Sequence, residues 1–250
     1  MNIIILAGGY GTRLQADIAL STKHSELRGL PKALLPIGGS CIFDILLRWI
    51  QDSGSMHDVV VVSNALYYDQ FKTRCDSFGV SVRVVNNNTS RPEDRLGAIG
   101  DLLLGLSQLP PGDTIVLGSD TLFSTSLLEL VTKSKRVASN IHLAYKDDSD
   151  EIKKKGVIEI DGCDKIMGFE EKPMYPKSHI AGIPVYLFTS ETIPHLKMYA
   201  AEYPDKLDRL GDLIRYLIIR SSWYAIVEGE YAYDIGSLGV YEQAVKNVLP

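Results

Sequence analysis

The segment that decides the fold is the amino-terminal stretch NIIILAGGYGTRL, residues 2–14. Asn2 to Leu6 form a short apolar run that is broken by Ala7-Gly8-Gly9, a pattern typical of a strand buried on both faces and followed by a turn. A glycine-rich turn after a strand exposes backbone N–H groups that can hold phosphate oxygens, and Arg13 adds a permanent positive charge. We therefore predict an anion-binding loop directly after the first strand.

Two common phosphate-binding motifs do not match this loop. In the dinucleotide motif GxGxxG, counted from Gly9 and Gly11, the third glycine would fall at Leu14. The Walker A motif fails as well, because no Gly-Lys-Ser/Thr follows the loop. Taken alone, the glycine pair is also compatible with an ordinary turn, so its interpretation depends on the motifs downstream.

Helical and strand patterns alternate after the loop. Apolar residues recur at helical spacing from Ile42 to Ile50, and Val59 to Val62 form a β-branched run. Thr114 to Leu117 predict another buried strand, which runs into Gly118-Ser119-Asp120. This alternation predicts an α/β fold with a Rossmann-like, mostly parallel mixed sheet flanked by helices. Ligands of such sheets gather at the carboxyl ends of the strands.

The second half of the chain is less regular. Its strand patterns are short and separated by turns, and we expect them to form a smaller β-rich lobe that covers one side of the site. We predict strands at residues 141–145, 157–160, 166–170 and 185–188, and amphipathic helices at 207–219 and 238–248. Residues 15–30 show no clean apolar period, which predicts an exposed loop of functional length, with a helical turn as an alternative for part of it.

Composition restricts the class of protein. A chain of 250 residues with 45% hydrophobic and 23% charged residues predicts one folded domain. The 26 basic and 31 acidic residues give a net charge of -5, which argues against nucleic-acid binding. No apolar run reaches the length of a membrane span and the amino terminus has no basic signal region, so we expect a cytoplasmic protein without a membrane partner. The histidines and cysteines form no metal-binding motif, which argues against a histidine-bound transition metal.

A lysine in Pro31-Lys32 lies between the loop and the helical pattern that starts at Ile42. Alone it would be read as a surface charge, but together with Gly8 to Arg13 it resembles the signature of the sugar-1-phosphate nucleotidyltransferase superfamily. It looks most like the sugar-1-phosphate nucleotidyltransferases, the group that contains glucose-1-phosphate thymidylyltransferases and short heptose-1-phosphate guanylyltransferases. The resemblance continues in order along most of the chain, in the segments Leu96–Gly100, Leu117–Phe123, Phe169–Pro173 and Tyr233–Ser237.

The resemblance implies a GT-A-like fold and a single nucleotidyltransferase domain over residues 1–250. Residues 1–123 would form the nucleotide-binding part and residues 124–250 the sugar-phosphate-binding part. In the implied reaction an oxygen of the sugar phosphate attacks the α-phosphorus of a nucleoside triphosphate in line, and pyrophosphate leaves. Because a phosphate monoester is already nucleophilic, the protein has to position two anions and stabilise the charge on the transferred group.

The resemblance also implies roles for individual residues. Arg13 would hold the triphosphate, Lys32 would lie near the α-phosphate, and Asp120 with Asp234 would bind Mg²⁺, so that Arg13, Lys32 and Asp120 form the catalytic set. Without the resemblance, Asp120 could equally cap a helix before Leu127 and Asp234 could be a turn residue. The implied nucleotide-binding residues are Leu6, Ala7, Gly8, Gly9, Gly11, Thr12, Arg13, Lys32 and Gly97. The implied sugar-phosphate-binding residues are Gly156, Glu171 and Lys172.

The chain departs from the family pattern at several positions. Ser119 stands where a glycine is usual, and Ala181-Gly182-Ile183-Pro184 replaces the common Thr-Gly of the sugar pocket. The spacer at residues 15–30 is longer than usual, which predicts a reshaped lid over the triphosphate. The segment from Glu93 to Asp101 is more charged than its counterparts, so base preference is not carried over. We interpret Lys153-Lys154-Lys155 as a solvated run.

Three functions agree with these observations. The first is transfer of a nucleoside monophosphate to a sugar 1-phosphate, with dTTP and glucose 1-phosphate as the first expectation. The second keeps the chemistry but uses CTP or GTP with another sugar phosphate or a non-sugar phosphate or phosphonate. The third is a non-catalytic nucleotide-sugar-binding regulator, against which the retained cations and carboxylates argue. Similar enzymes often self-associate, so a homo-oligomer is compatible with the sequence.

Overall fold

A computed structural model describes residues 1–53, 58–78, 81–229 and 232–247 of the chain. The strands are Asn2–Ala7 (β1), Pro36–Ile37 (β2), Ser40–Cys41 (β3), Asp58–Ser63 (β4), Val82–Asn86 (β5), Thr114–Gly118 (β6), Thr121–Phe123 (β7), Asn140–Lys146 (β8), Gly156–Ile160 (β9), Ile166–Glu171 (β10), Ile180–Phe188 (β11), Trp223–Glu228 (β12) and Ala232–Asp234 (β13). The helices are Thr12–Leu20 (α1), Ile42–Gln51 (α2), Tyr68–Phe78 (α3), Gly97–Ser107 (α4), Leu127–Val137 (α5), Ile193–Glu202 (α6), Leu210–Ile218 (α7) and Leu238–Asn247 (α8).

The predicted first strand lies at the centre of the parallel half of the sheet. β1 pairs in parallel with β4 on one side and with β6 on the other, and β5 extends the sheet beyond β4. Because these strands point the same way, their carboxyl ends meet at one edge. The Ser119 amide donates a hydrogen bond of 3.1 Å to the Leu6 carbonyl there, which ties the end of β6 to the start of the glycine loop.

The second half of the chain continues the same sheet. β11 pairs antiparallel with β6, β8 and β9, β10 pairs antiparallel with β9, and β12 lies parallel to β8. The predicted α/β class with a mixed sheet is therefore confirmed. The β-rich part that was expected as a lobe consists of strands joined to the central sheet through β11, together with a two-stranded ribbon of β7 and β13.

Helices cover both faces of the sheet. Ile3 and Ile5 of β1 pack with α2, α3 and α5 on one face, whereas Ile4 packs with α4, α6 and α7 on the other. Successive residues of a strand point to opposite faces, and all three isoleucines have no exposed surface. This two-sided burial explains why the strand reads as a continuous apolar run rather than an alternating one.

The prediction of an exposed loop at residues 15–30 is wrong for its first part. Residues up to Leu20 belong to α1, and a short 3-10 turn follows at Ser25–Leu27. Leu14 and Ile18, one helical turn apart, are fully buried and pack with Leu27 and with α8. The helix buries a stripe of only two residues, which is too narrow to show a clear helical period in the sequence.

The other predicted elements lie close to their observed positions. The helix predicted at 207–219 is α7, and the helix predicted at 238–248 is α8, although Val248 lies outside the described residues. A helix over Ile193–Glu202, α6, was not foreseen. Among the described residues, none of the helices combines the length and the apolar character that crossing a membrane requires.

Candidate active site

Two adjoining clefts open along the carboxyl edge of the sheet. The narrow cleft has a volume of about 260 Å³ and the wide cleft one of about 710 Å³. They share a wall formed by Pro184, Asp208 and Leu210. Eight predicted site residues line the narrow cleft, namely Leu6, Ala7, Gly8, Gly9, Gly11, Lys32, Gly97 and Asp120. Five line the wide cleft, namely Arg13, Gly156, Glu171, Lys172 and Asp234. Thr12 lines neither of the two.

The glycine loop lies against the predicted catalytic lysine. Gly11 has a φ of 62° at the start of α1, a left-handed conformation that side chains rarely adopt. A β-carbon at Gly11 would lie 3.2 Å from Cγ of Lys32, so the glycine allows the lysine stem to pass close to the loop. On the other side, Asn64 donates a hydrogen bond of 3.1 Å to the Gly8 carbonyl, which fixes the height of the loop above the sheet.

A second left-handed glycine begins helix α4. Gly97 has a φ of 78°, and a β-carbon there would lie only 2.4 Å from the carbonyl oxygen of Leu207. The segment around Leu207 is held at this distance by a hydrogen bond of 2.8 Å from the Ile99 amide and by the ion pair between Arg95 and Asp208. Gly97 therefore permits the close packing that forms the outer wall of the narrow cleft.

Lys32 and Asp120 form an ion pair in the narrow cleft, beside Asp234 of the wide cleft, and we call this place the junction. Lys32 Nζ lies 3.0 Å from Asp120 Oδ2, and each side chain is about one quarter exposed. Asp120 occupies the turn between β6 and β7, whereas α5 is capped by Ser126, whose side chain accepts a hydrogen bond from the Glu129 amide. The alternative that Asp120 caps the helix before Leu127 is therefore wrong.

The ribbon of β7 and β13 brings Asp234 beside Asp120. In its register Asp234 pairs with Thr121, and the Ile235 amide donates a hydrogen bond of 3.0 Å to the Asp120 carbonyl. Asp234 lines the wide cleft, which leaves more than a third of the residue exposed. Its desolvation, and then the charge of Asp120, raise the pKa of Asp234, while Lys32 and Arg13 act in the opposite direction.

The donor set at this junction suits a hard cation. Asp120 and Asp234 offer carboxylate oxygens, and among the described residues no group of three or more histidine, cysteine, aspartate or glutamate side chains forms a metal-binding cluster. Mg²⁺ is commonly held by one or two carboxylates together with substrate phosphates and water. The two aspartates therefore fit Mg²⁺ that is completed by a bound phosphate, and they do not fit an all-protein metal cage.

The wide cleft is rich in cationic side chains. Lys172, in a left-handed conformation with a φ of 50°, lies at its edge, and its Nζ is 3.7 Å from Oε1 of Glu171. Glu171 packs closely against two glycines, since a β-carbon at Gly211 would lie 2.2 Å from Oε2 and one at Gly156 would lie 3.3 Å away. Arg209 lines the same cleft. The cleft thus presents a carboxylate to hydroxyl groups and several cations to an anion.

The interpretation of Lys153 to Lys155 as a solvated run holds for two of the three lysines. Lys153 and Lys154 are exposed and paired with acidic neighbours. Lys155 instead turns into the wide cleft, where it donates hydrogen bonds to the Tyr145 hydroxyl and, at 2.7 Å, to Asp147. A run of identical residues carries no signal of which member turns inward, so the sequence does not distinguish Lys155 from its neighbours.

A further cleft residue that sequence reasoning missed is Asp101. It lies one helical turn after Gly97 on α4, lines the narrow cleft and is only 6% exposed. Asn87 donates a hydrogen bond of 2.8 Å to its Oδ1, and burial raises the pKa of Asp101 to about 6. Its only sequence signal is the unusual charge of the segment that ends at this position.

Comparisons with known proteins agree with the fold and the motifs. The family model described as nucleotidyl transferase matches residues 2–249. A D-glycero-alpha-D-manno-heptose 1-phosphate guanylyltransferase from Campylobacter jejuni is 26% identical over 76% of this chain and 77% of its own length. A glucose-1-phosphate adenylyltransferase from Thermomicrobium roseum is 24% identical over 97% of this chain, which spans 58% of that relative.

The solved structures show the same architecture. A structure described as a glucose-1-phosphate thymidylyltransferase from Bacillus anthracis in complex with sucrose superimposes with a TM-score of 0.79. The match covers 98% of this chain and 94% of the other at 21% identity, which supports the shared fold. Together with a family model that spans almost the whole sequence, these results confirm the family that the ordered motifs predicted. The chain belongs to the nucleotidyl transferase family.

Proposed function

We propose that this protein transfers a nucleoside monophosphate from a nucleoside triphosphate to a sugar 1-phosphate and releases pyrophosphate. The observation that carries the proposal is the meeting of two clefts at Lys32, Asp120 and Asp234. One cleft is walled by the backbone of a glycine loop and the other by cations and a carboxylate. A reaction between two phosphate compounds needs two binding sites that share one reactive centre, and the clefts have this arrangement.

In the proposed reaction the narrow cleft holds the nucleotide. Backbone N–H groups of the loop from Gly8 to Gly11 are available to phosphate oxygens, as expected for a glycine-rich turn that opens a helix. Lys32, whose stem lies against Gly11, reaches the junction of the clefts and offers a positive charge to the α-phosphate. Arg13 lines the neighbouring wide cleft and adds charge beside the leaving pyrophosphate.

The acceptor would occupy the wide cleft. Lys172 would bind its phosphate and Glu171 would accept hydrogen bonds from sugar hydroxyls. One oxygen of the acceptor phosphate forms a bond to the α-phosphorus while the bond from the α-phosphorus to the β-phosphate oxygen breaks, so no side-chain nucleophile is needed. Holding both reactants in line supplies up to about 7–11 kcal/mol of the barrier reduction through effective concentration.

Asp120 and Asp234 would hold Mg²⁺ next to the transferred group. When bound, the ion neutralises charge on the phosphate oxygens and orients them. The Lys32 ammonium lies 3.0 Å from Asp120 Oδ2 and compensates part of the negative charge of the carboxylate pair.

We also propose the division into a nucleotide-binding part, residues 1–123, and a sugar-phosphate-binding part, residues 124–250, and the lining of the clefts supports it. Most residues of the narrow cleft precede residue 123, and most residues of the wide cleft follow it, although Arg13 belongs to the wide cleft and the shared wall comes from the second half. For the substrates, the resemblance favours dTTP and glucose 1-phosphate. Guanylyl or cytidylyl transfer and other phosphate acceptors are the alternatives.

A matrix of nucleoside triphosphates against sugar phosphates and phosphocholine, with Mg²⁺ and a readout of pyrophosphate release and product mass, tests the proposal. We expect release with one nucleotide and one sugar phosphate, and a product whose mass is that of the nucleoside diphosphate sugar. Binding of nucleotide sugars without release across the whole matrix would instead support the non-catalytic regulator.

A further inference from the structure

The narrow cleft contains a carboxylate that the proposed phosphate chemistry does not use. Asp101 is 6% exposed, and a β-carbon at Gly8 would lie 2.0 Å from its Oδ2. Gly8 therefore leaves the space into which the carboxylate projects, directly against the glycine loop. Asp101 lines the cleft together with Gly97 and Ala98, and the same cleft is lined by the glycine loop and by Arg95.

A chain of hydrogen bonds fixes the orientation of this carboxylate. The Asn87 side-chain oxygen accepts from the amide of Thr89 at 2.9 Å and from its hydroxyl at 2.8 Å. The Asn87 side-chain nitrogen must therefore face Asp101, to whose Oδ1 it donates at 2.8 Å. The Tyr10 hydroxyl of the glycine loop donates to the Thr89 hydroxyl at 2.8 Å and completes the chain.

This network leaves acceptor capacity on Asp101 for a ligand. Oδ1 accepts one hydrogen bond from Asn87 and has a second lone pair, and among the described residues no donor forms a hydrogen bond with Oδ2. An ionised carboxylate accepts hydrogen bonds and donates none. Because Asp101 lines the cleft and its Oδ2 has no donor among the described residues, a ligand that brings donors to this point is favoured over one that brings acceptors.

We infer that Asp101 selects guanine as the base of the nucleotide. This inference rests on the proposed function, because it assigns the base in the same nucleotide cleft. The Watson–Crick edge of guanine carries two adjacent donors, N1–H and the 2-amino group, which one carboxylate can accept together. Thymine and uracil present a single N3–H between two carbonyl oxygens, and those oxygens would face the negative charge.

The remaining bases fit the carboxylate less well. Adenine and cytosine each carry one amino group beside a ring nitrogen that is an acceptor, so the second contact with Asp101 would be repulsive. One bidentate pair of hydrogen bonds corresponds to a preference for guanine over the other bases of roughly 5- to 150-fold in Kd. The sequence-based expectation of dTTP and the guanine inference thus lead to opposite results in one measurement.

The test measures equilibrium binding of GTP, ITP, XTP, ATP, CTP and dTTP in the presence of Mg²⁺. We expect the protein to bind GTP at least about tenfold more tightly than ATP, CTP or dTTP. ITP, which lacks the 2-amino group, should bind more weakly than GTP. XTP has a carbonyl oxygen in place of that amino group and should bind worst among the purines.

The decisive variant is Asp101→Asn. Its side-chain oxygen can still accept from Asn87, while its amide nitrogen faces the cleft and can donate to the 2-carbonyl of xanthine. We expect the preference to invert, so that the variant binds XTP at least about tenfold more tightly than GTP. A gain of XTP binding cannot result from partial unfolding. A purely structural role for Asp101 would lower the affinity for all nucleotides alike.

Asp44→Asn is the matched control. Asp44 is another buried carboxylate on a helix, but it pairs with Arg74 and lines neither cleft. This control should keep the preference for GTP. Equal or tighter binding of dTTP by the unaltered protein, or an unchanged order of nucleotides in Asp101→Asn, would overturn the inference.

Pyrophosphate release separates this inference from the proposed function. Release with dTTP but not with GTP would leave the nucleotidyl transfer intact and refute the assignment of Asp101. A binding preference for GTP that inverts in Asp101→Asn, without release from any pair of substrates, would support the assignment of the base and refute the transfer reaction.

Discussion

The narrow and wide clefts lie side by side but are built by different means. The narrow cleft owes its shape to backbone, with left-handed glycines at positions 11 and 97 and a loop that leads out of the central strand. The wide cleft owes its character to side chains that project from antiparallel strands and from the connections between them, such as Lys155, Lys172 and Arg209. Few residues can replace a left-handed glycine without changing the backbone. A side chain that projects into a cleft can be replaced while the backbone stays the same. Changes in the narrow cleft should therefore affect every reaction, and changes in the wide cleft should affect the choice of acceptor.

The largest effect is expected at Asp120, which lines the narrow cleft and lies beside Asp234 of the wide cleft. Asp120→Ala removes a proposed Mg²⁺ ligand and the partner of Lys32, and should lower kcat by at least about 10³-fold. The thermal melt should stay cooperative, because Asp120 lies in a turn at the edge of the sheet. Asp58→Ala, an exposed aspartate at the opposite end of β4, should leave kcat unchanged. Near-normal activity of Asp120→Ala would contradict the metal assignment.

A backbone change should give the next largest effect. Gly97→Ala forces a side chain into a left-handed position, 2.4 Å from a carbonyl oxygen, and should cost about 1–3 kcal/mol of stability. Displacement of the cleft wall should also raise KM for the nucleotide by more than tenfold for every acceptor that is used. Gly162→Ala is the control, because no atom lies within 4 Å of the added carbon. Equal kinetics for the two variants would show that the wall is not rigid.

A side-chain change in the wide cleft should be milder and specific for the acceptor. Lys172→Ala should raise KM for the sugar phosphate by about tenfold, because one charge-assisted contact with phosphate is lost. KM for the nucleotide should stay the same. Lys153→Ala, an exposed lysine paired with Asp150, serves as control. If Lys172→Ala changed both Michaelis constants equally, the separation of the two clefts would be wrong.

The last prediction concerns stability and its dependence on pH rather than activity. Burial raises the pKa of Asp101 to about 6, above its ordinary value of 3.8, so between these values the folded protein binds more protons than the unfolded chain. Ionisation of Asp101 therefore costs stability at pH 8, by at most about 3 kcal/mol. Asp101→Asn should raise Tm at pH 8, and this gain should shrink as the pH falls through 6 and vanish near pH 4. A gain of equal size at both pH values would contradict the pKa.

The sequence predicted the narrow cleft better than the wide one, for a physical reason. Residues of the glycine loop and Asp120 directly follow strands whose burial is visible in the sequence, and the carboxyl ends of parallel strands meet at one edge. Thr12 is an exception, since it was expected to bind nucleotide but lines neither cleft. Helix α1 was missed because only Leu14 and Ile18 form its buried stripe.

The missed residues depend on packing between distant segments. A hydrogen bond from Asn87, which follows strand β5, orients Asp101. Lys155 points into the cleft because it donates hydrogen bonds to Tyr145 and Asp147. Neither partnership leaves a local pattern in the sequence. The periodicity of the sequence does not show that Asp120 and Asp234 lie close together. The resemblance to a family predicted it, because it implied that both bind one Mg²⁺.

The ribbon of β7 and β13 has a consequence for biosynthesis of the protein. It is the element that places Asp234 beside Asp120, and its second strand comes almost at the end of the described chain. A nascent or truncated polypeptide that stops before Ala232 can emerge with its whole parallel sheet and glycine loop, yet it lacks one of the two carboxylates. Closing so long a loop is entropically unfavourable and slow compared with local folding steps. Activity is therefore expected only after the chain has been made and folded through Asp234.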